Sequence, residues 1–481
     1  MGDKSILGNY IKPKLCNAID SGNDSGETAV TTVEYCAYSQ RIEMKSLLNM
    51  LLFFNILSAV SLFALDGTKI AFNAKTNKHP LQYEIDEPMV FTFIVDLKGQ
   101  ELEAPLTIEW TRTGDDGVTE EGSVVYDGNA PAIMTTKLSC NGFVRIYAKL
   151  RQADGKCLKS NGWRDWFFDG GAAVHPELLT STPEPEDFDE FWARQKTRLD
   201  KVPIIADLTE LNRSDVAMVY VARILCAGPR PATGILTIPL GAEEGRKYPI
   251  LITLHGYGPP QYNPNKLVGR GAPDKITFSL NAHGVEYRRD EKYYVAFNAM
   301  IKENGEKYAF SKEVNQDPEI TYFNGMALRL MRALQYLKSL KAWNGKDLHA
   351  RGGSQGGLQA IWAAALDHDV SLVTAEIPWC CDIGGPDNYK RLNSTFRPAY
   401  TRALDYYDCM NMAKRVRCPV EITRAGLGDY ACPPSGVAIM YNNLKCRKSI
   451  IWHQGSEHSY IPENCETFRL EAEAIRENVP Q

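Results

Sequence analysis

The pattern of apolar and polar positions divides the chain into a β-rich part and a mixed part. From about Thr68 to Ala173, short runs rich in β-branched and aromatic residues, such as PMVFTFIVDL and GFVRIYAKLR, alternate with turn-forming pieces such as GDDG and ADGK. Short strands at this spacing are typical of a β-sandwich. We therefore predict an all-β, Ig-like sandwich domain over residues 66–174. Two roles stay open for it: a packing spacer, which we favour, and a sugar-binding module.

The pattern changes after a proline-rich stretch. HPELLTSTPEPEDFDEFW predicts a linker over residues 175–186 that runs into a helix. Beyond it, apolar strand patterns such as YPILITLHGYG alternate with amphipathic helical ones such as FNGMALRLMRALQYLKSL, and ENCETFRLEAEAIRENV predicts a C-terminal helix. This alternation predicts an α/β domain over residues 187–481, with a mostly parallel central sheet covered on both faces.

The N-terminal segment has the character of a targeting signal. Residues 1–43 are polar and without pattern, and MKSLLNMLLFFNILSAVSLFALDG follows from Met44. A basic residue, an apolar stretch and a small-residue exit predict a secretory signal over residues 44–64. A membrane anchor and a buried core helix are the alternatives. We hypothesise that Met44 is the true start, that residues 1–43 are a disordered or non-native extension, and that the mature protein is periplasmic or secreted without stable membrane insertion.

Composition narrows the range of partners. Across 481 residues the formal net charge is -5, and no Lys/Arg-rich run stands out, so nucleic acid is not an expected partner. The twelve cysteines lack paired CxxC spacing and a histidine cluster, which argues against a structural zinc site and favours buried free thiols. There is also no glycine-rich phosphate loop. We expect neither a cofactor nor a metal.

One serine stands among four glycines in RGGSQGGLQA. Gly352-x-Ser354-x-Gly356 fits the nucleophile elbow of α/β-hydrolases, in which a strand turns sharply into a helix and presents the serine at the apex. A plain glycine turn explains the motif equally well when it is taken alone. The remainder of the chain has to decide between the two.

A nucleophilic serine needs a base, and in α/β-hydrolases that histidine comes last in the chain order. Three histidines follow Ser354, namely His368, His453 and His458. His368 ends the helix behind the elbow, and His453 falls within the strand pattern KSIIWHQ. His458 lies in the loop GSEHSY just beyond that strand, where the base is expected. We predict His458 as the base, against the alternative of a surface loop histidine.

The acid that orients the base should follow the preceding strand, PVEITRAG. Asp429 comes directly after it in GLGDYACPPS, whereas Asp405 and Asp408 precede that strand. A turn aspartate is the alternative interpretation of Asp429. We predict Asp429 as the third member of a Ser-His-Asp triad.

An oxyanion also needs hydrogen-bond donors. The backbone N–H of Gln355, which follows the serine at a helix N-terminus, is one candidate. The N–H of Tyr257, in the glycine-flanked loop HGYG after an early strand, is the other. A structural turn histidine is as good an explanation of His255 in that loop as a functional one.

Together these motifs resemble the acetyl xylan esterase and cephalosporin-C deacetylase family of carbohydrate esterases. The resemblance rests on GGSQGG, HGYG, EDFDEFW, GLGDYACPPS and the final His458, in family order over roughly Pro183 to Val479. It implies that Ser354, Asp429 and His458 form the triad and that Tyr257 and Gln355 form the oxyanion hole. The family commonly shows an Arg-Gly-Gln signature where this chain has NAHGVEY. The family's hexamer is therefore not carried over, and the oligomeric state stays open.

These inferences predict a metal-independent serine esterase that removes O-acetyl groups from xylan or related oligosaccharides through an acetyl-enzyme intermediate. A peptidase or broader esterase of the same fold is the nearest alternative. A non-catalytic carbohydrate-binding envelope protein is the alternative from a different class.

Overall fold

The computed structural model describes residues 65–258 and 272–474. The predicted extension and signal segment therefore lie outside the described residues. Within the described ranges, no helix is long and apolar enough to cross a membrane. The described residues from Asp66 onward form one compact unit.

The first strands form two small antiparallel sheets. Strands β1, β2 and β5 make a three-stranded sheet, and the second sheet has the order β4-β3-β6-β7. The rings of Phe93 and Phe168, one from each sheet, lie 6.2 Å apart and join the two inner faces. The strands are β1 Ala71–Thr76, β2 Met89–Asp96, β3 Leu106–Gly114, β4 Thr119–Tyr126, β5 Ala132–Thr136, β6 Gly142–Arg151 and β7 Phe167–Val174.

The remaining strands form one ten-stranded sheet. They are β8 Ala206–Arg213, β9 Ala217–Ile224, β10 Ala232–Pro239, β11 Tyr248–Leu254, β12 Ile276–Asn281, β13 Trp343–Ser354, β14 Leu372–Pro378, β15 Val420–Gly426, β16 Lys448–His453 and β17 Thr467–Ala472. Their order is β17-β16-β15-β14-β13-β11-β12-β10-β9-β8. The pairs from β12 to β16 are parallel, and the outer pairs are antiparallel.

Helices alternate with these strands as predicted. They are α1 Phe188–Asp200, α2 Glu291–Met300, α3 Tyr322–Ser339, α4 Gln355–Leu366, α5 Gly385–Tyr389, α6 Cys409–Ala413 and α7 Pro434–Asn443. Helix α4 is buried along its whole length, because its apolar residues pack between the sheet and the helices around it. The predicted fold class, an α/β-hydrolase fold preceded by a β-rich sandwich region, is confirmed.

Two predicted segments differ from expectation. The described part of the predicted C-terminal helix is strand β17, which pairs antiparallel with β16 from Lys448↔Ala472 to His453↔Thr467. An open sheet edge provides backbone partners that outweigh helix propensity. The segment 175–186, predicted as a linker, is packed rather than free. Leu179 and Thr182 are buried, and Asn442 Nδ2 donates to the carbonyl oxygens of Pro176 and Leu179.

Candidate active site

Ser354 lies at a strained corner between β13 and α4. Its φ is 54° and its ψ is -121°, in the left-handed half of backbone space that non-glycine residues rarely occupy. An ideal Cβ on Gly352 would lie 2.5 Å from the carbonyl oxygen of Gly356, and one on Gly356 would lie 2.1 Å from that of Leu254. The glycines are therefore required by close backbone approach, and the strand–turn–helix context expected of a nucleophile elbow is present.

The structure brings Ser354, His458 and Asp429 together. His458 Nε2 is 3.1 Å from Ser354 Oγ, and His458 Nδ1 is 3.0 Å from Asp429 Oδ2. Asp429 follows β15 and His458 follows β16, so both side chains reach the edge at which the parallel strand β13 ends. The spacing is that of a nucleophile, a base and an orienting acid.

The carboxylate of Asp429 is held from its other side by the backbone of its own loop. Asp429 is buried, and its Oδ1 accepts from the backbone N–H groups of Ala431 at 2.8 Å and Cys432 at 2.7 Å. Hydrogen bonds to an ionised carboxylate favour the charged form. The carboxylate is thereby fixed in place and ready to accept from His458.

The electrostatics of His458 follow from this pairing. Burial of the imidazole opposes protonation, but the hydrogen bond to Asp429 and the negative charges of Asp429 and Glu457 outweigh it and raise the pKa of His458. Protonation of the base during proton transfer from a serine is thereby eased.

The rival residues have other partners. His453 Nε2 lies 3.1 Å from the carbonyl oxygen of Thr423. Asp405 accepts from Tyr400 and Arg402, while Asp408 accepts from the N–H groups of Asp382, Ile383 and Met410. His368 lines a separate surface pocket beside α1. Each of these side chains has a structural role away from Ser354.

A metal ion fits this site poorly. Within the described ranges, Asp429, Cys432 and His458 form a cluster whose possible ligand atoms lie within 4.8 Å of one another. Asp429 and His458 are already bonded to each other. Burial raises the pKa of the Cys432 thiol well above its ordinary value, and the thiolate form that binds metals is disfavoured.

The two predicted oxyanion donors lie on neighbouring segments. Gln355 begins α4, and Tyr257 follows β11 in a loop that abuts the elbow, since an ideal Cβ on Gly356 would lie 3.1 Å from the carbonyl oxygen of His255. The His255 ring itself has a structural bond, because its Nε2 accepts from the N–H of Ala282 at 3.1 Å.

Tyr308 connects the two segments, and no sequence motif points to it. Its hydroxyl donates to Gln355 Oε1 at 2.8 Å and accepts from the N–H of Gly258 at 2.7 Å. Its ring stacks on that of Tyr257 with centroids 4.3 Å apart, and the Tyr257 hydroxyl donates to the carbonyl oxygen of Tyr308 at 3.0 Å. Tyr308 therefore holds Gln355 and the Tyr257 loop in one arrangement.

An aromatic cluster stands beside the serine. The N–H of Trp379 donates to the carbonyl oxygen of Ser354 at 3.1 Å. The ring of Tyr257 lies 5.5 Å from that of Trp379 and 4.7 Å from that of Phe396, and Phe310 lies 5.1 Å from Phe396. These rings form an apolar wall, which sequence reasoning missed because their positions follow no motif.

Comparisons with known proteins agree with this geometry. The family model described as acetyl xylan esterase (AXE1) matches residues 177–471. The acetyl esterase Axe7A of Xylanibacter ruminicola is 29% identical over 296 residues, which cover 59% of this chain and 66% of the relative. The chain thus spans just under two thirds of the length of this curated relative.

Two solved structures are similar over the same part of the chain. They are an acetyl xylan esterase from Paenibacillus sp. R4 and acetyl xylan esterase 1 from Thermoanaerobacterium sp. JW/SL YS485. Each is 22% identical with a TM-score of 0.48 and covers 60% of this chain, against 94% and 93% of its own length.

Proposed function

Because the chain belongs to the acetyl xylan esterase family, we propose that it is a serine esterase that removes O-acetyl groups from xylan or related oligosaccharides. The observation that carries the proposal is the continuous hydrogen-bonded series from Ser354 Oγ through the His458 ring to Asp429. The curated relative is named an acetyl esterase, in agreement with acetyl transfer to water.

The reaction follows from these positions. Ser354 Oγ attacks the acetyl carbonyl carbon as its proton passes to His458 Nε2, and Asp429 stabilises the imidazolium. The amides of Tyr257 and Gln355 donate to the oxyanion. As the intermediate collapses, the C–O bond to the sugar breaks and His458 gives its proton to the leaving sugar oxygen. Water then attacks the acetyl-enzyme with His458 as base, and acetate leaves with Ser354 restored.

The aromatic wall supports a small acyl group. Trp379 is bonded through its backbone to Ser354, and the rings of Tyr257 and Phe396 pack against it at 5.5 and 5.8 Å. A packed wall resists added methylene groups. It suits an acetyl group better than a long acyl chain.

We also propose that the protein is exported, since residues 44–64 have the pattern of a secretory signal. N-terminal sequencing of the exported protein tests this. A mature chain that begins before Met44 would contradict it.

The direct test is acetate release from acetylated xylan and xylo-oligosaccharides by the wild type and by Ser354→Ala. We expect a loss of about 10⁴-fold or more in kcat/KM, as for a triad nucleophile. Ser279→Ala on the neighbouring strand β12 is the control, and it should retain activity. If Ser354→Ala keeps most of its activity, the nucleophile is elsewhere. Cleavage of peptide amides in place of acetyl esters would favour a peptidase.

A further inference from the structure

The loops that carry Asp429 and His458 rest directly on strand β7 of the small four-stranded sheet. An ideal Cβ on Gly428 would lie 2.0 Å from the carbonyl oxygen of Asp169, and one on Gly171 would lie 2.9 Å from that of Leu427. Backbone therefore meets backbone where Gly428 precedes the proposed catalytic acid. The β-rich region supports the site rather than standing apart from it.

Side chains fasten this contact on both loops. Arg145 on β6 donates from Nε to the carbonyl oxygen of Gly428 at 3.0 Å and forms a two-point pair with Asp169 at 2.7 and 2.6 Å. Gln454, at the start of the His458 loop, accepts from the N–H of Gly171 at 2.9 Å and donates to its carbonyl oxygen at 2.8 Å. Both catalytic loops thus share one support.

The charges explain why the support is an ion pair. Burial raises the pKa of Asp169 to about 7, the hydrogen bond and charge of Arg145 oppose that rise, and the charges of Glu457 and Asp429 add to it. A buried carboxylate close to the proposed catalytic acid requires a compensating cation. Arg145 provides that cation and is also held to the acid loop by a hydrogen bond.

We propose that Arg145 and Asp169 are positioning residues for the reaction proposed above, on which this inference rests. They set the height of Gly428, one residue before Asp429, and so keep the carboxylate of Asp429 aligned with His458. Since a misplacement of 1 Å can reduce a rate about a hundredfold, loss of the pair should act on kcat.

The test compares Arg145→Lys, Arg145→Met and Asp169→Asn with Arg112→Lys, using p-nitrophenyl acetate. Arg112 is the matched control because it forms a similar two-point pair with Asp116, at 2.7 and 2.7 Å, in the same sheet. We expect kcat to fall about tenfold to a hundredfold in the Arg145 and Asp169 variants with KM nearly unchanged. The rate at which a phosphonate labels Ser354 should fall in parallel. Arg112→Lys should lose thermal stability but keep its kcat.

The outcomes separate the two proposals. If the Arg145 and Asp169 variants keep the kcat of the control at equal stability, the positioning role is wrong. If Arg145→Met does not fold, Arg145→Lys and Asp169→Asn decide. A wild type that cleaves no acetyl ester refutes the proposed function itself, and the positioning role with it.

An independent observation carries a second proposal. Trp163 is 76% exposed at the tip of a hairpin closed by the N–H of Ser160, which donates to the carbonyl oxygen of Arg164 at 2.8 Å. Arg164 anchors this tip to the histidine loop. Its guanidinium pairs with Glu457, the neighbour of His458, at 3.0 Å and lies 4.1 Å from the centroid of the Tyr460 ring.

An exposed indole fixed beside a catalytic loop has the chemistry of a saccharide platform. Its flat face matches the apolar C–H face of a sugar ring, while its N–H can bond to a hydroxyl. We propose that Trp163 binds a sugar unit of the polysaccharide at a distance from the acetyl group. This second inference also rests on the proposed function.

The test measures Trp163→Ala on acetylated xylan and on p-nitrophenyl acetate. We expect KM for the polymer to rise about threefold to tenfold, as for loss of one aromatic contact, with no change on the small ester. Trp343→Ala, at the far end of β13, is the control and should affect neither substrate. An equal effect on both substrates, or none on either, would refute the platform. A wild type that cleaves p-nitrophenyl acetate but not acetylated xylan would instead refute the substrate class, and the platform with it.

Discussion

Substitution of Gly356 by alanine tests whether the tight corner around Ser354 is required. The added Cβ would lie 2.1 Å from the carbonyl oxygen of Leu254 and 3.1 Å from that of His255. Gly353→Ala is the matched control two positions from the first glycine of the motif's end. Its Cβ would meet only Glu376 Oε2 at 3.2 Å, and the end of a flexible side chain can move. Neither position has a left-handed φ, so the clash alone distinguishes them.

The size of the effect follows from the distances. A carbon and an oxygen need about 3.5 Å, so the start of α4 and the end of β11 must separate by more than about 1 Å in Gly356→Ala. Overpacking of this kind costs about 1–3 kcal/mol of unfolding free energy. The same shift displaces the Tyr257 loop from Ser354, and a displacement of that size can reduce kcat/KM about a hundredfold.

Chemical denaturation and kcat/KM for p-nitrophenyl acetate measure both effects. We expect Gly356→Ala to lose stability and most of its activity, and Gly353→Ala to stay within about 0.5 kcal/mol of the wild type. If the two alanine variants have equal stability and equal activity, close backbone approach is not the reason for glycine at position 356.

Three further predictions concern the chemistry. Asp429→Asn should reduce kcat about 10⁴-fold, because the imidazole loses the partner that orients it, and a variant that keeps its rate would remove Asp429 from the triad. The base must be neutral, so activity should fall as pH drops through a pKa above the ordinary value of about 6.5, and an acid limb centred below that value would contradict the raised pKa of His458. Across p-nitrophenyl acetate, butyrate and octanoate, kcat/KM should decline with chain length, because each longer chain must displace the aromatic wall, and EDTA should change none of these values. Equal or rising values would indicate a general esterase, and an EDTA loss restored by zinc would indicate a metal.

The sequence by itself determined the fold class and the set of residues to examine. The elbow is a local device: its glycines are needed within a few positions of Ser354, so a short motif carries the signal. Asp429 and His458 could be selected because strand patterns precede each of them and the carboxyl ends of parallel strands meet at one edge of the sheet. The structure places all three side chains in hydrogen-bond series, while their catalytic roles stay predictions.

Only the tertiary structure decided what holds that site together. The Arg145 bond to Gly428 spans 283 residues, and the Tyr308 bond to Gln355 spans 47. The edge of β16 likewise turned a segment of helical character into strand β17. Such contacts depend on which surfaces meet after packing, and no periodicity along the chain encodes them. Local sterics can be read from the order of residues, whereas partners brought from distant segments are selected by the folded arrangement as a whole.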